Sequence, residues 1–170
     1  EDIQNLLFDP DASKEVFHML LRYVSQTTDS DYGVCYVSSE NAELPILPDV
    51  QLEGIYLNDS TKFVNEHVLL SWIGQKNILS SIVYYNDPIP KGSRALLKPD
   101  SNINSILILP IILHSELRAI CILANKHKHY HPSALVKLKS IVGAVVCTLQ
   151  SSETVRGNFW GLDQQIADNR

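Results

Sequence analysis

The chain has no apolar run that approaches the roughly 18 consecutive residues of a bilayer span, and no charged-then-apolar segment at its start. This piece is therefore expected to be soluble and to make no membrane contact. It has no excess of positive charge: 14 Lys and Arg against 19 Asp and Glu leave a formal net charge of −5. That balance gives no general basic field to draw it to phosphate backbones, and nucleic acid is not an expected partner. Cysteine is scarce. Cys35, Cys121 and Cys147 are odd in number, widely separated and set in apolar sequence, which suits reduced thiols in a cytoplasmic protein better than a disulfide framework. Methionine occurs once, at Met19, and the chain is expected to be a piece of a longer protein. Catalytic signatures are lacking too, with no G-x-S-x-G, G-x-x-x-x-G-K-[ST] or H-E-x-x-H.

What is present is apolar pattern. With 170 residues and 45% hydrophobic content, one domain with one core is expected. Residues 1–10 read as a short linker helix, interrupted at Asp9-Pro10. A second helix follows in which Val16, Met19, Leu20, Tyr23 and Val24 mark one face. Phe17 and Leu21 widen that face to about half the circumference, more than docking on a single surface needs. Tyr32 to Ser38 (YGVCYVS) reads as a strand, the proline-bearing Asn41 to Asp49 as a loop or ragged hairpin, and Gly54 to Leu57 as a return strand. Val64, Val68, Leu69 and Trp72 predict a helix over Lys62 to Gln75 that ends near Gly74. Ile78 to Tyr85 reads as a strand, and Asn86 to Asn104 as a long segment with three prolines of the kind that is usually functional.

The stretch Ser105 to Lys126, SILILPIILHSELRAICILANK, predicts two strands joined by a tight turn at His114-Ser115-Glu116. Both are apolar at nearly every position, as in a hairpin at the middle of a sheet covered on both faces. From His131 a long helix begins, with Pro132 in its first turn. Leu135, Leu138, Ile141, Val142, Val145, Val146 and Leu149 form its expected core stripe, and Val136, Ser140, Gly143 and Cys147 form a small-residue strip beside it. After Ser151 the periodicity is lost.

Three local patterns resemble the GAF family of small-molecule-sensing domains. SILILPIILHSELRAICIL is similar to the family's signature of apolar strand, proline, apolar strand, polar turn and apolar strand, with Pro110 at the matching position. HVLLSWIGQKNILSSIVYYND looks like its helix, Gly-containing turn and strand closing on an aspartate, here Asp87. YHPSALVKLKSIVGAVVCTL looks like its last helix, with Tyr130 in place of the usual phenylalanine. The resemblance implies an α/β (α+β), GAF-like or profilin-like fold. Its central antiparallel sheet has five or six strands, the terminal helices pack on one face, and Lys62 to Asn104 roofs the other. It places the sensory domain at residues 11–152 and a linker towards an output domain at 153–170, in a bacterial signal-transduction protein. Departures are specific. Ala119 stands where glycine is common, and no cysteine is followed by the histidine of bilin-binding members. Asn125-Lys126 and Tyr130 fit the motif of cyclic-nucleotide-binding members, but its acidic pair falls on Ala134 and Leu135.

The residues bordering the variable segment give a candidate ligand set: Trp72, Tyr84, Tyr85, Asp87 and Arg94, joined by Cys121. Aromatic walls with a few polar anchors are what small-molecule sites use, although Trp72 and Tyr84 could equally fill core. The ligand is an unidentified small molecule, and no cofactor is named. His127, His129 and His131 alternate as metal ligands can, but the adjoining Lys126 and Lys128 favour a solvated basic loop. Cys35 and Cys121 read as small hydrophobes in strands, with a thiol-based redox role as the lesser alternative. Surplus surface on the terminal helices predicts a homodimer through Phe17, Leu21, Val136, Ser140, Gly143 and Cys147. The resulting expectation is a non-catalytic sensory domain, with a ligand-free dimerisation module as the alternative.

Overall fold

Strands that are apolar on both sides need cover on both sides, and this architecture supplies it. A computed structural model describes residues 12–38, 52–57, 62–74, 81–113 and 116–147. The elements are α1 (Ala12–Thr28), β1 (Tyr32–Ser38), β2 (Leu52–Tyr56), α2 (Glu66–Gly74), β3 (Val83–Tyr85), α3 (Lys91–Arg94), β4 (Ser105–Leu113) and β5 (Glu116–Asn125). A further helix, α4, runs over residues 132–147. The strands form one sheet in the order β2-β1-β5-β4-β3, antiparallel at every pairing. The β4–β5 hairpin is central, as its two-sided apolar sequence requires. Pro110 lies where β3 no longer accompanies β4, since β3 pairs only with Ile106 to Ile108. Proline, which has no N–H, is tolerated at such half-paired positions.

One face carries the terminal helices. Odd-numbered residues of β1 and β4, and of β5 from Ala119 onward, among them Cys35, Val37, Leu109 and Cys121, pack against α1 and α4. The buried residues of α1 are Val16, Phe17, Leu20, Leu21 and Val24. Phe17 and Leu21 are thus core, at 7% and 0% exposure, and not interface as their position on a wide helix face suggested. The reason is a close approach: a Cβ on Gly33 would stand 3.1 Å from Leu21 Cδ1 and 3.1 Å from Leu123 Cδ2. Glycine in β1 lets α1 settle low enough to bury a broad stripe. Tyr23, expected on the inner face, is instead 49% exposed. The α1 helix ends with Asp29 in the left-handed region (φ 54) and Ser30 N donating to Ser25 O at 2.8 Å, a Schellman closure with aspartate at the site glycine usually fills. On α4, Leu138 and Val145 are buried, with Val142 and Val146 packed beside them; Leu149 lies outside the described residues.

The other face takes even-numbered residues, including Val34, Tyr36, Ile108, Ile120 and Ile122, against Phe63, Leu69, Ile73, Leu96 and Ile103 of the roof. The predicted helix over Lys62 to Gln75 starts later than its apolar spacing suggested. Val64 pairs with Leu97 in an isolated antiparallel bridge, and Asn65 caps α2 by accepting from Val68 N at 3.4 Å. Asn65 N donates to Leu96 O at 2.6 Å and Lys98 N to Phe63 O at 2.9 Å. These bonds make α2, α3 and the following turn one continuous cover. Of the strand expected over Ile78 to Tyr85, only β3 is assigned among the described residues.

Candidate functional site

On the roofed face, towards the β2 edge of the sheet, three polar groups meet, with Tyr36 buried and Tyr56 and Glu66 half-buried. The Tyr36 and Tyr56 hydroxyls lie 3.3 Å apart, and both donate to Glu66 Oε1, at 3.4 Å and 3.5 Å. The strand register explains the meeting. Tyr36 pairs with Gly54, and a Cβ on Gly54 would lie 3.2 Å from Tyr36 Cε1 and 2.9 Å from Tyr56 Cε2. The missing side chain makes room for two rings, which sit edge to face with centroids 6.4 Å apart. The first turn of α2 then brings Glu66 over them. Burial, followed by the bond to Tyr56 and the nearness of Glu66, pushes the Tyr36 phenol well above the ordinary tyrosine value. Tyr36 is therefore a neutral donor at any ordinary pH. All three contacts are long for O–H···O bonds, whose usual length is about 2.7–2.8 Å, and the two phenol protons are shared among them.

The six residues predicted to line a ligand site do not converge. Trp72 and Tyr85 pack on the roofed face, while Tyr84 and Cys121 lie on the helix face. Strand alternation separates Tyr84 from Tyr85, and the same alternation sends Cys121 away from the roof while Ile120 and Ile122 point towards it. Asp87 is exposed at a turn whose peptide bond to Pro88 is cis. The Arg94 guanidinium donates to the Ile103 carbonyl, tying α3 to the segment before β4. Tyr36, Tyr56 and Glu66 were missed because the pairing of Tyr36 with Gly54 arises only when β2 returns beside β1. The one available signal was tyrosine and glycine in strands predicted to form a hairpin.

The Asn125-Lys126 pair also finds its place. Asn125 is buried; its Oδ1 accepts from Asp31 N at 2.7 Å and its Nδ2 donates to Asp29 O at 3.0 Å, so it fastens the α1–β1 turn to the end of β5. Lys126, which has no carboxylate at Ala134 or Leu135, lies over the Tyr32 ring with Nζ 5.4 Å from the centroid. Asn86 grips the backbone of Tyr130 from both sides, donating to its carbonyl at 2.9 Å and accepting from its N–H at 2.7 Å. Tyr130 itself is 2% exposed and bonds Ser30 Oγ at 2.9 Å. Burial pushes its phenol above the usual tyrosine range.

His127, His129 and His131 are all exposed, and among the described residues no group of three or more His, Cys, Asp or Glu could hold a metal ion. A cavity of about 410 Å³ lies away from the roofed face, between the end of α1 and the start of α4, with Lys128, His129, His131 and Lys137 in its wall. Lys128 bridges Asp29 and Asp31 at 3.2 Å and 3.0 Å, and its bonds first to Asp31 and then to Asp29 raise its pKa. No helix among the described residues is long and apolar enough to cross a membrane.

No family model matches the chain, and no curated protein matches it. Solved structures do. The GAF domain of PixJ from Thermosynechococcus elongatus, in its blue-light-absorbing form, aligns over 89% of this chain and 92% of its own, at 9% identity and TM-score 0.56. The GAF domain of a two-component sensor histidine kinase from Bacillus halodurans aligns over 83% and 95%, at 9% identity and TM-score 0.55. The fold is that of a GAF domain. A type II free methionine-R-sulfoxide reductase from Thermoplasma acidophilum is also similar, over 88% of this chain and 96% of its own, at 17% identity and TM-score 0.53. One GAF-type scaffold thus carries both sensors and an enzyme, and at such identities the likeness speaks for the fold alone.

Proposed function

We propose that the chain is a non-catalytic, cytoplasmic sensory domain that binds a small molecule on its roofed face and relays the bound state through α1 and α4 to an output domain. The observation that carries this reading is the meeting of Tyr36, Tyr56 and Glu66 at the half-buried β2 edge of an otherwise apolar face. Two phenol donors and one carboxylate, loosely held, are the few polar anchors that fix a ligand's orientation in an apolar site. Trp72 and Tyr85 supply aromatic wall on the same face. The sensory reading draws further support from the fold shared with a light-absorbing domain and with a domain of a sensor kinase. Native mass spectrometry of freshly purified protein tests it, by detecting any co-purified small molecule. Binding should shift Trp72 fluorescence, slow proteolysis between residues 86 and 104, and weaken at least tenfold in Tyr36→Phe combined with Glu66→Gln. A ligand held equally well by that double variant would move the site elsewhere.

A ligand-free dimerisation module is the second reading, and α4 favours it. Val136 is 71% exposed, Ser140 and Cys147 are exposed, and a Cβ on Gly143 would meet nothing within 4 Å. A homodimer through this strip would give a monomer with Val136→Glu in light scattering, with the fold intact.

A further inference from the structure

Cys35 and Cys121 are far apart in the sequence and directly opposite one another in the sheet. The backbone shows what kind of pair they are. Leu57 N donates to Gly33 O, so the carbonyl of Gly33, and by alternation that of Cys35, is turned towards β2 and away from β5. Asn104 N donates to Asn125 O, which likewise turns the carbonyls of Asn125 and Cys121 towards β4. Cys35 and Cys121 therefore form a non-hydrogen-bonded pair, the antiparallel site at which opposed side chains come closest, with Cα atoms about 4.5 Å apart. A disulfide accepts Cα separations of roughly 4.4–6.8 Å, so the pair can be bridged with little movement of either strand. Both residues have 0% exposure and face the same helix layer, and both are free thiols. We propose that Cys35 and Cys121 form a buried dithiol site that hydrogen peroxide or another small hydroperoxide converts to a cross-strand disulfide joining β1 to β5.

The closed fold holds the pair at rest. The Cys121 thiol hydrogen-bonded to Cys35, together with burial, keeps Cys35 well above the ordinary thiol value, and a thiol that stays protonated is a poor nucleophile. Reaction follows local opening of the helix layer. One sulfur then loses its proton to solvent and attacks the peroxide. An S–O bond forms, the O–O bond breaks, and the departing hydroxide takes a proton to leave as water. The second sulfur displaces the sulfenic oxygen, forming S–S as S–O breaks, and its proton leaves with that oxygen in a second water. The two thiols give up two electrons and the peroxide is reduced to two waters. Because the second thiol is already opposite the first, disulfide formation outruns further oxidation to the sulfinic acid. A small uncharged oxidant suits a dry layer that opens briefly, whereas bulkier disulfides meet the exposed Cys147 first.

The test uses the Cys147→Ser variant, so that only the buried pair can react. After hydrogen peroxide, peptide mapping without reductant should show Cys35 and Cys121 peptides linked, with the mass of two hydrogens lost. The thermal midpoint should rise by roughly 5–10 °C, and dithiothreitol should reverse both changes. Adding Cys121→Ala should abolish the linked species and leave Cys35 to oxidise alone. Thiols that remain unlinked in the native protein under peroxide treatment that oxidises Cys147 of the parent, or that end as separate sulfinic acids, overturn the proposal.

Discussion

The two faces of the sheet are built from the same strands and differ in what their interiors contain. Beneath α1 and α4 the interior is mainly aliphatic and thiol, with the Phe17 ring among them, and its polar groups stand at the rim: Thr28 Oγ1 bonds Ser30 Oγ at 2.7 Å, Ser30 bonds Tyr130, and Asn125 closes the α1–β1 turn. Beneath the roof, two phenols and a carboxylate sit among the apolar contacts. The covers differ as well. The helix face is held by a 17-residue helix and a second long one, the roof by helices of nine and four residues joined through one bridge. Short elements with few mutual contacts open at lower cost than long docked helices. The helix face is thus the firmer of the two covers, and the roof the one whose elements open at lower cost.

Deleting the same side chain on each face probes that contrast most strongly. Leu21→Ala should cost about 2–5 kcal/mol in chemical denaturation and lower the stability of the whole domain, since Leu21 is 0% exposed between α1 and the sheet. A folded Leu21→Glu monomer from a dimeric parent would instead return Leu21 to an interface. Leu69→Ala, equally buried in the roof, should cost about 2–3 kcal/mol. It should also raise proteolysis within residues 86–104 under conditions where the circular dichroism of the helices is unchanged. If both variants unfold in a single step with equal loss, the two faces are not separate cooperative units. Asn125→Ala, which strips partners from Asp31 N and Asp29 O, should cost about 1–3 kcal/mol and loosen the rim of the helix face alone.

Tyr36→Phe is a smaller change, about 0.5–1.5 kcal/mol near neutral pH, with a signature in pH. The Tyr36 pKa is raised in the folded state, so its contribution is fully present below the ordinary tyrosine value of 10.0 and is lost as pH climbs above it, because the unfolded chain ionises first. The wild type should lose stability above pH 10 more steeply than Tyr36→Phe, measured by denaturation at stepped pH. The least effect is expected at Lys128→Gln. Lys128 is exposed, and its raised pKa means that its pairing with Asp29 and Asp31 persists until pH passes above the usual lysine range. Solvent and salt screen such a pair, and the variant should unfold within error of the parent at neutral pH.

Much of the architecture was legible because it follows from apolar pattern. Ser105 to Asn125 is greasy on both alternations, and only a central hairpin covered twice can hide both. The predicted terminal helices and roof follow from that need. The capped start of α2 was less legible, since Val64 fits a helical stripe as well as it fits a bridge to Leu97. The site was the least legible part. Tyr84 and Tyr85 look equivalent as neighbours in a sequence, yet alternation sends them to opposite faces, and which of them meets the roof depends on the register with Leu107 and Ile106.

By itself, then, the sequence determined where the chain would be apolar and with what period, and those two facts compel strands, helices and a sheet with two covered faces. The tertiary structure alone decided which residues stand opposite one another. Pairing Tyr36 with Gly54 made a gap for two phenols under Glu66, settling α1 on Gly33 turned Phe17 and Leu21 from surplus into core, and pairing Cys35 with Cys121 made neighbours of two distant thiols. The physical reason is that hydrophobic burial is non-directional and sets only which side faces inward. Register comes from hydrogen-bonded partners that meet only after the chain has returned on itself.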